Sequence, residues 1–232
     1  MSRKNDNESS RSARGRGQRT ALERIAWFAV ACGACGNFAP PPAEMPWLHG
    51  FRVTAITDEP TEAAARHAAE RGATDEAAYG ALEVHADLTG DNESETVIVS
   101  YQLGVVVLDA HGHVFARRGA FESEGSADSI VALSIGDAGL TSPVLAVASQ
   151  AGGHRESTIT LSLLRVADRG GLATVFEQPI EIHDGDTTRT GAIVLAPGSL
   201  TYRAPDTGVN VRFVFDPQRN HYFPQSSPGL LD

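Results

Sequence analysis

The sequence predicts a mainly β protein: an antiparallel sheet of propeller-blade-like or sandwich type, with a short alanine-rich helical segment near residues 60–80. Three observations carry that expectation. From Leu82 to the C-terminus apolar residues recur mostly at every second position, as in Leu82, Val84, Ala86 and Leu88 against Glu83, His85 and Asp87. Clusters of Gly, Asp, Asn or Pro separate nearly all of these runs. The composition, 41% hydrophobic and 21% charged, is that of a chain able to bury a core.

The N-terminal residues have a different character. The first 24 are rich in Arg, Ser, Asn and Gly and have no apolar periodicity, so they contain nothing to pack. From Ile25 the run Ile-Ala-Trp-Phe-Ala-Val-Ala-Cys-Gly-Ala-Cys is apolar over about ten residues, roughly half of what a spanning helix needs. Small residues precede a cysteine twice, in Ala29-Val30-Ala31-Cys32 and in Cys32-Gly33-Ala34-Cys35. This arrangement resembles a bacterial lipoprotein signal peptide. The resemblance implies cleavage before Cys32 or Cys35 and diacylation of that sulfur. The match departs from the usual pattern in its long basic region, in Glu23 close to the apolar run, and in having no leucine three residues before either cysteine. Two other readings use the same residues: an ordinary secretory signal, and a redox or metal Cys-x-x-Cys. The second needs a folded helix terminus to lower a thiol pKa, and no βαβ pattern surrounds it.

These features divide the chain into a leader at 1–35, a Pro-rich linker at 36–50 and a single β-rich domain at 51–232. The leader holds seven basic and three acidic residues; the remainder holds twelve basic and twenty-six acidic, a net charge of −14. Such a body repels phosphate backbones, which argues against nucleic acid as a partner.

Within the domain, 51–56 alternates as a short strand. Between Asp58 and Ala81 an acidic cap, Pro60 in the first turn, Glu62 four residues before Arg66, and Gly72 as a stop predict a helix whose apolar residues are nearly all alanine. Strands are then expected at 82–88, 96–103, 105–109, 113–117, 129–135, 144–149, 157–166, 173–182, 192–195 and 209–215. A faint repeat relates the stretch from Asp87 to Ser100 to that from Ile135 to Ser149: each is a strand, a polar loop and an apolar strand, about 48 residues apart. That period falls in the range of propeller blades.

One loop has the density of oxygen groups that a hard cation needs. Asp87, Thr89, Asp91, Glu93 and Glu95 alternate through Asp-Leu-Thr-Gly-Asp-Asn-Glu-Ser-Glu. The stretch resembles the FG-GAP or VCBS type of blade motif, Asp-x-Asn/Asp-Gly-Asp-Gly-x-x-Asp, matching at Asp87, Gly90 and Asp91. Thr89, Asn92 and Glu95 depart from it. The resemblance covers about residues 80–182. It implies a calcium site with Asp87, Asp91 and Glu95 as side-chain ligands, Thr89 as a hydroxyl or water-bridged ligand and Glu93 as a carbonyl ligand. The alternative is a solvated hairpin whose Asp and Asn close turns by local hydrogen bonds. His111 and His113 with Asp109 invite either a metal reading or a turn. The same holds for His183-Asp184-Gly185-Asp186, where Asp-Gly is itself a hairpin signal. His154 with Glu156 lies in a Gly-rich loop.

Nucleophile elbows, His-Glu-x-x-His, phosphate-cradling loops and dinucleotide fingerprints are all missing from the sequence. It is therefore read as an exported, lipid-anchored envelope protein of non-catalytic binding type, its partner an envelope protein or polysaccharide, with the 87–95 loop a candidate for structural calcium. The alternatives are a secreted metal-dependent hydrolase using Asp87, Asp91, His111 and His113, and a purely structural or assembly lipoprotein.

Overall fold

The computed structural model describes residues 45–57, 64, 81–101, 103–119, 121, 129–153, 155–167 and 171–225. Contacts divide the chain after Pro40. The leader with Cys32 and Cys35, His154 and nearly all of the expected helix lie outside the described residues.

The described chain is mainly β: fifteen strands in three sheets, largely antiparallel. Two strands lead in, β1 (Leu48–His49) and β2 (Arg52–Thr57). The segment just before β2 was assigned from its prolines to the linker. Within it Met45 and Leu48 supply apolar side chains that are 3% and 1% exposed, and Leu48–His49 pairs with Ile193 and Val194.

Next, β3 (Leu82–Ala86), β4 (Glu95–Ser100), β5 (Gly104–Leu108) and β6 (Val114–Arg118) form a four-stranded up-and-down antiparallel sheet. A second meander follows in β7 (Ser129–Asp137), β8 (Val144–Gly152), β9 (Glu156–Val166), β10 (Leu172–Asp184) and β11 (Thr187–Thr190), with β2 added beside β7. A third consists of β12 (Ala192–Ala196), β13 (Ser199–Arg203), β14 (Asn210–Asp216) and β15 (His221–Pro224), with β1 parallel to β12. Thus three successive meanders follow one another along the chain.

The second sheet is buried on both faces, and the strand period explains how. In β8, Val144, Ala146 and Ala148 enter a core shared with the third sheet, whereas Leu145 and Val147 enter a core shared with the first. All five are fully buried, so β8 reads in the sequence as a continuous apolar run. The core against the third sheet is aromatic, with Phe176, Tyr202, Phe213 and Tyr222 meeting edge to face. The core against the first sheet is aliphatic, built on Val97, Val99, Val105, Val107, Leu133 and Ile135. Burying each large aliphatic side chain contributes about 1.5–3 kcal/mol before entropy is counted.

The opposite face of the first sheet carries Ile98, Val106 and Leu108, which pack with Ala64 and Ala81. Ala64 is the only described residue of the expected helical stretch; it has helical backbone and is fully buried.

The faint repeat coincides with equivalent positions, β3–β4 in the first meander and β7–β8 in the second. The third meander escaped it because its first turn is only Pro197-Gly198, with no polar loop between the strands.

Candidate functional site

The five residues of the 87–95 loop come together as one hydrogen-bonded turn. Asp87 accepts from the Gly90 amide at 2.6 Å through Oδ1 and from the Asn92 amide at 2.9 Å through Oδ2. Asp91 accepts from the Glu93 amide at 2.8 Å. Glu95, only 4% exposed, accepts from the Leu88 amide at 2.6 Å and from the Thr89 hydroxyl at 3.3 Å. Gly90 (φ 82°) and Asn92 (φ 67°) take left-handed conformations, which Asn tolerates better than other non-glycine residues. The Gly90 amide, chief among its donors, holds the Asp87 carboxyl below the ordinary aspartate range. Each carboxylate that the resemblance assigned to calcium, at Asp87, Asp91 and Glu95, has a backbone or hydroxyl donor within the loop, and Glu93, expected as a carbonyl ligand, gives its amide to Asp91. Among the described residues no group of three or more His, Cys, Asp or Glu is arranged to hold a metal ion. The loop is closed by its own amides, and its side chains do not form a fitted cation cage.

The same device recurs at other turns. Asp109 accepts from the amides of His111 and His113 at 2.9 and 2.8 Å, with the His113 ring 3.4 Å from its second oxygen. The His113 amide is the main reason the Asp109 carboxyl titrates below its usual range. His111 and His113 stack at 6.2 Å over a β5–β6 hairpin. Asp137, at the position equivalent to Asp87 in the second meander, accepts from the Gly139 amide at 2.6 Å and pairs with Arg52. Gly185 and Asp186 turn β10 into β11, as the Asp-Gly signal indicated. His183 Nε2 lies 2.7 Å from Glu181 Oε1, and Glu181 Oε2 accepts from Trp47 Nε1 at 2.9 Å.

A different site emerges between the first and second sheets, at the end of the first sheet opposite the 87–95 loop. The face of the second sheet that meets the first changes along its length. At one end it presents Leu145, Val147 and Leu164; at the other it presents Ser149, Ala151, Thr160, Ser162 and Glu177. Small hydroxyl side chains cannot fill the intersheet gap. What remains is a cavity of about 430 Å³, closed on the first-sheet side by Tyr101, Arg118 and Phe121.

Its geometry is set by Arg118. The guanidinium Nη2 donates to Glu177 Oε2 at 2.9 Å across the two sheets, and the Ser162 hydroxyl donates to the same oxygen at 2.6 Å. The Arg118 Cζ lies 4.6 Å from the centroid of the Phe121 ring, whose amide is tied to the Tyr101 carbonyl at 3.1 Å. Arg118 Nη1 is buried and has no acceptor among the described residues. A buried donor left unpaired costs about 1–3 kcal/mol, so such an atom calls for a partner.

The alternation of Thr158, Thr160 and Ser162 with Ile159, Leu161 and Leu163 was legible, but period two by itself reads as a solvated polar face. Ser162 is 1% exposed because another sheet covers it. Comparison with protein-family models, with curated proteins and with solved structures gives no match. The class defined is therefore the coarse one: a mainly β protein of three sheets with a polar intersheet cavity.

Proposed function

We propose that this chain is an exported, lipid-anchored protein of the cell envelope whose β domain binds a partner and performs no chemistry on it. The observation carrying the binding role is the cavity beside Arg118, a recess on strands of a doubly buried sheet with a charged pair and hydroxyls converging on it. Sites of this size with few convergent polar groups are typical binding pockets. Asp87 and Asp91 spend carboxylate oxygens on capping their turn, and His111 and His113 give their backbone amides to Asp109. The anchor reading is supported by the two small-residue approaches to Cys32 and Cys35 after an apolar stretch too short to span. We further infer a propeller-blade-like arrangement in preference to a two-sheet sandwich, since three meanders, of four, five and four strands, succeed one another.

The test is detergent-phase partitioning of the full chain expressed in a bacterial host, together with mass analysis of its N-terminus. Wild type is expected in the detergent phase with an acylated cysteine at its start, and the double variant Cys32→Ala, Cys35→Ala in the aqueous phase. A double variant that still follows membranes, or an intact unacylated chain in the cytosol, would overturn the anchor.

A further inference from the structure

We propose that the outer face of the third sheet docks on an anionic lipid surface; this rests on the anchor reading above. Ile193, Leu195, Leu200, Tyr202 and Phe213 enter the aromatic core, so strand alternation turns their neighbours outward. Register places His49, Val194, Thr201 and Arg212 in one row across β1, β12, β13 and β14. The adjoining rows set Arg203 beside Asn210, and Ala196, Ser199, Val214 and Phe223 side by side. Val194 and Val214 are 49% and 40% exposed, so this face offers apolar surface as well as charge.

The sign of that charge is opposite to the rest of the body. From Ala192 to Gln225 the chain holds Arg203, Arg212 and Arg219 against Asp206 and Asp216, whereas everything after the leader carries −14 in all. Asp216 is matched by Arg219 at 3.8 Å, and the Arg219 guanidinium also lies over Phe223. Arg203 and Arg212 are exposed and form no ion pair among the described residues. Exposed arginines set among valines suit an anionic surface with an apolar interior: phosphate oxygens take the guanidinium, and the valines reach the headgroup boundary. A second copy docking by the same face would bring arginine against arginine. A soluble acidic protein would satisfy the charges, but the membrane alone is held within reach by the chain itself. Between Cys35, the nearer candidate for acylation, and Leu48 lie twelve residues, spanning at most about 45 Å. They enter the domain at β1, the edge strand of this same sheet. Each arginine near an anionic surface strengthens association about fivefold, too little to hold a free protein and enough to orient a tethered one.

The experiment is arginine modification by a dicarbonyl reagent, mapped by mass spectrometry, on the full chain expressed in a bacterial host and reconstituted into phosphatidylcholine vesicles with or without phosphatidylglycerol. With phosphatidylglycerol present, Arg203 and Arg212 should react about fivefold more slowly, while Arg189 on β11, exposed and on another sheet, keeps its rate. Salt at about 1 M should remove the difference. Val214→Asp, which places a carboxylate on the face at an exposed position, should remove it too; should that variant not fold, the salt dependence decides. The assignment is overturned if Arg203 and Arg212 react alike in both kinds of vesicle, or if their protection ignores salt and Val214→Asp. Protection that grows with protein concentration in detergent would replace the membrane with a second copy, and protection by envelope extract alone would replace it with an acidic protein. A chain that enters neither kind of vesicle takes the anchor and the docking face down together, whereas equal reactivity in a chain that does enter removes the face and leaves the anchor.

Discussion

The Tyr202 hydroxyl, on β13 of the third sheet, donates to the Pro179 carbonyl of the second at 2.7 Å. Pro179 stands where the β9–β10 register shifts, so its carbonyl is freed from the ladder and finds its partner in the neighbouring sheet. In the same aromatic core, the Tyr222 hydroxyl is buried with no partner among the described residues. Two tyrosines of one cluster thus differ in whether the hydroxyl has a partner, and removal of each hydroxyl should have different effects.

Tyr202→Phe is expected to lower stability by about 1–2 kcal/mol, since it abolishes a bond and orphans a buried carbonyl. Tyr222→Phe is expected to leave stability unchanged or raise it by up to about 1 kcal/mol, since it removes an unpaid desolvation cost. Urea midpoints of the two variants against wild type decide the matter; equal losses would show that the Tyr222 hydroxyl is bonded in solution.

Alkaline behaviour follows from the same residue. Burial raises the Tyr222 phenol to about 12 from its ordinary value of 10.0. A folded pKa above the unfolded one means that the contribution is whole below pH 10 and is lost as pH climbs toward 12, where the unfolded chain ionises first. Wild type should therefore lose stability across that window, and Tyr222→Phe should lose less. Denaturation midpoints at pH 9 and near pH 11.5, with phenolate absorbance as the monitor, test the sign.

On the acid side three turn aspartates act together. Asp87, Asp109 and Asp137 all titrate below 3.8 in the folded chain, each chiefly through a backbone amide, those of Gly90, His113 and Gly139. A depressed folded pKa gives stability that is present above 3.8 and lost as pH falls through the folded value. Stability should hold from neutrality down to about pH 4 and decline below it. Asp87→Asn should flatten that decline, and an unchanged acid slope would count against the cap.

Gly104 opens β5 at φ 78°, and a Cβ there would lie 2.2 Å from the Gly119 carbonyl oxygen and 2.3 Å from that of Arg118. Gly104→Ala should cost at least about 2 kcal/mol and displace the strand end that carries Arg118. Gly90→Ala, at φ 82° but facing open space, should cost less, because only backbone strain opposes it. Comparable thermal shifts for the two would mean that the close approach is absent.

Calcium in excess is expected to leave the melting temperature unchanged, since Asp87, Asp91 and Glu95 are already committed to closing their loop. A saturable rise that Asp91→Ala abolishes would reinstate the cation.

Much of the fold is legible in the residues themselves. Apolar runs, most of them of period two, located eleven of the fifteen described strands, and Asp184-Gly185 marked its hairpin, because these signals are local: a pleat alternates faces and a tight turn needs particular backbone angles. The repeat linking Asp87 to Asp137 is equally visible, and in both copies the aspartate caps the turn. β1, β11, β13 and β15 were not among the expected strands. Met45 and Leu48 were assigned to the linker since the neighbouring prolines dominate a local window.

The sequence by itself determined that the body is anionic, built of strands and punctuated by self-capping aspartates. Each of those properties depends on neighbours along the chain. Only the tertiary structure decided which polar faces meet water, and so where the cavity lies. Thr160 and Ser162 look alike to any surface threonine or serine until a second sheet lies over them. Arg118 and Glu177 stand 59 residues apart, and no local pattern ties a cation to its partner across that distance.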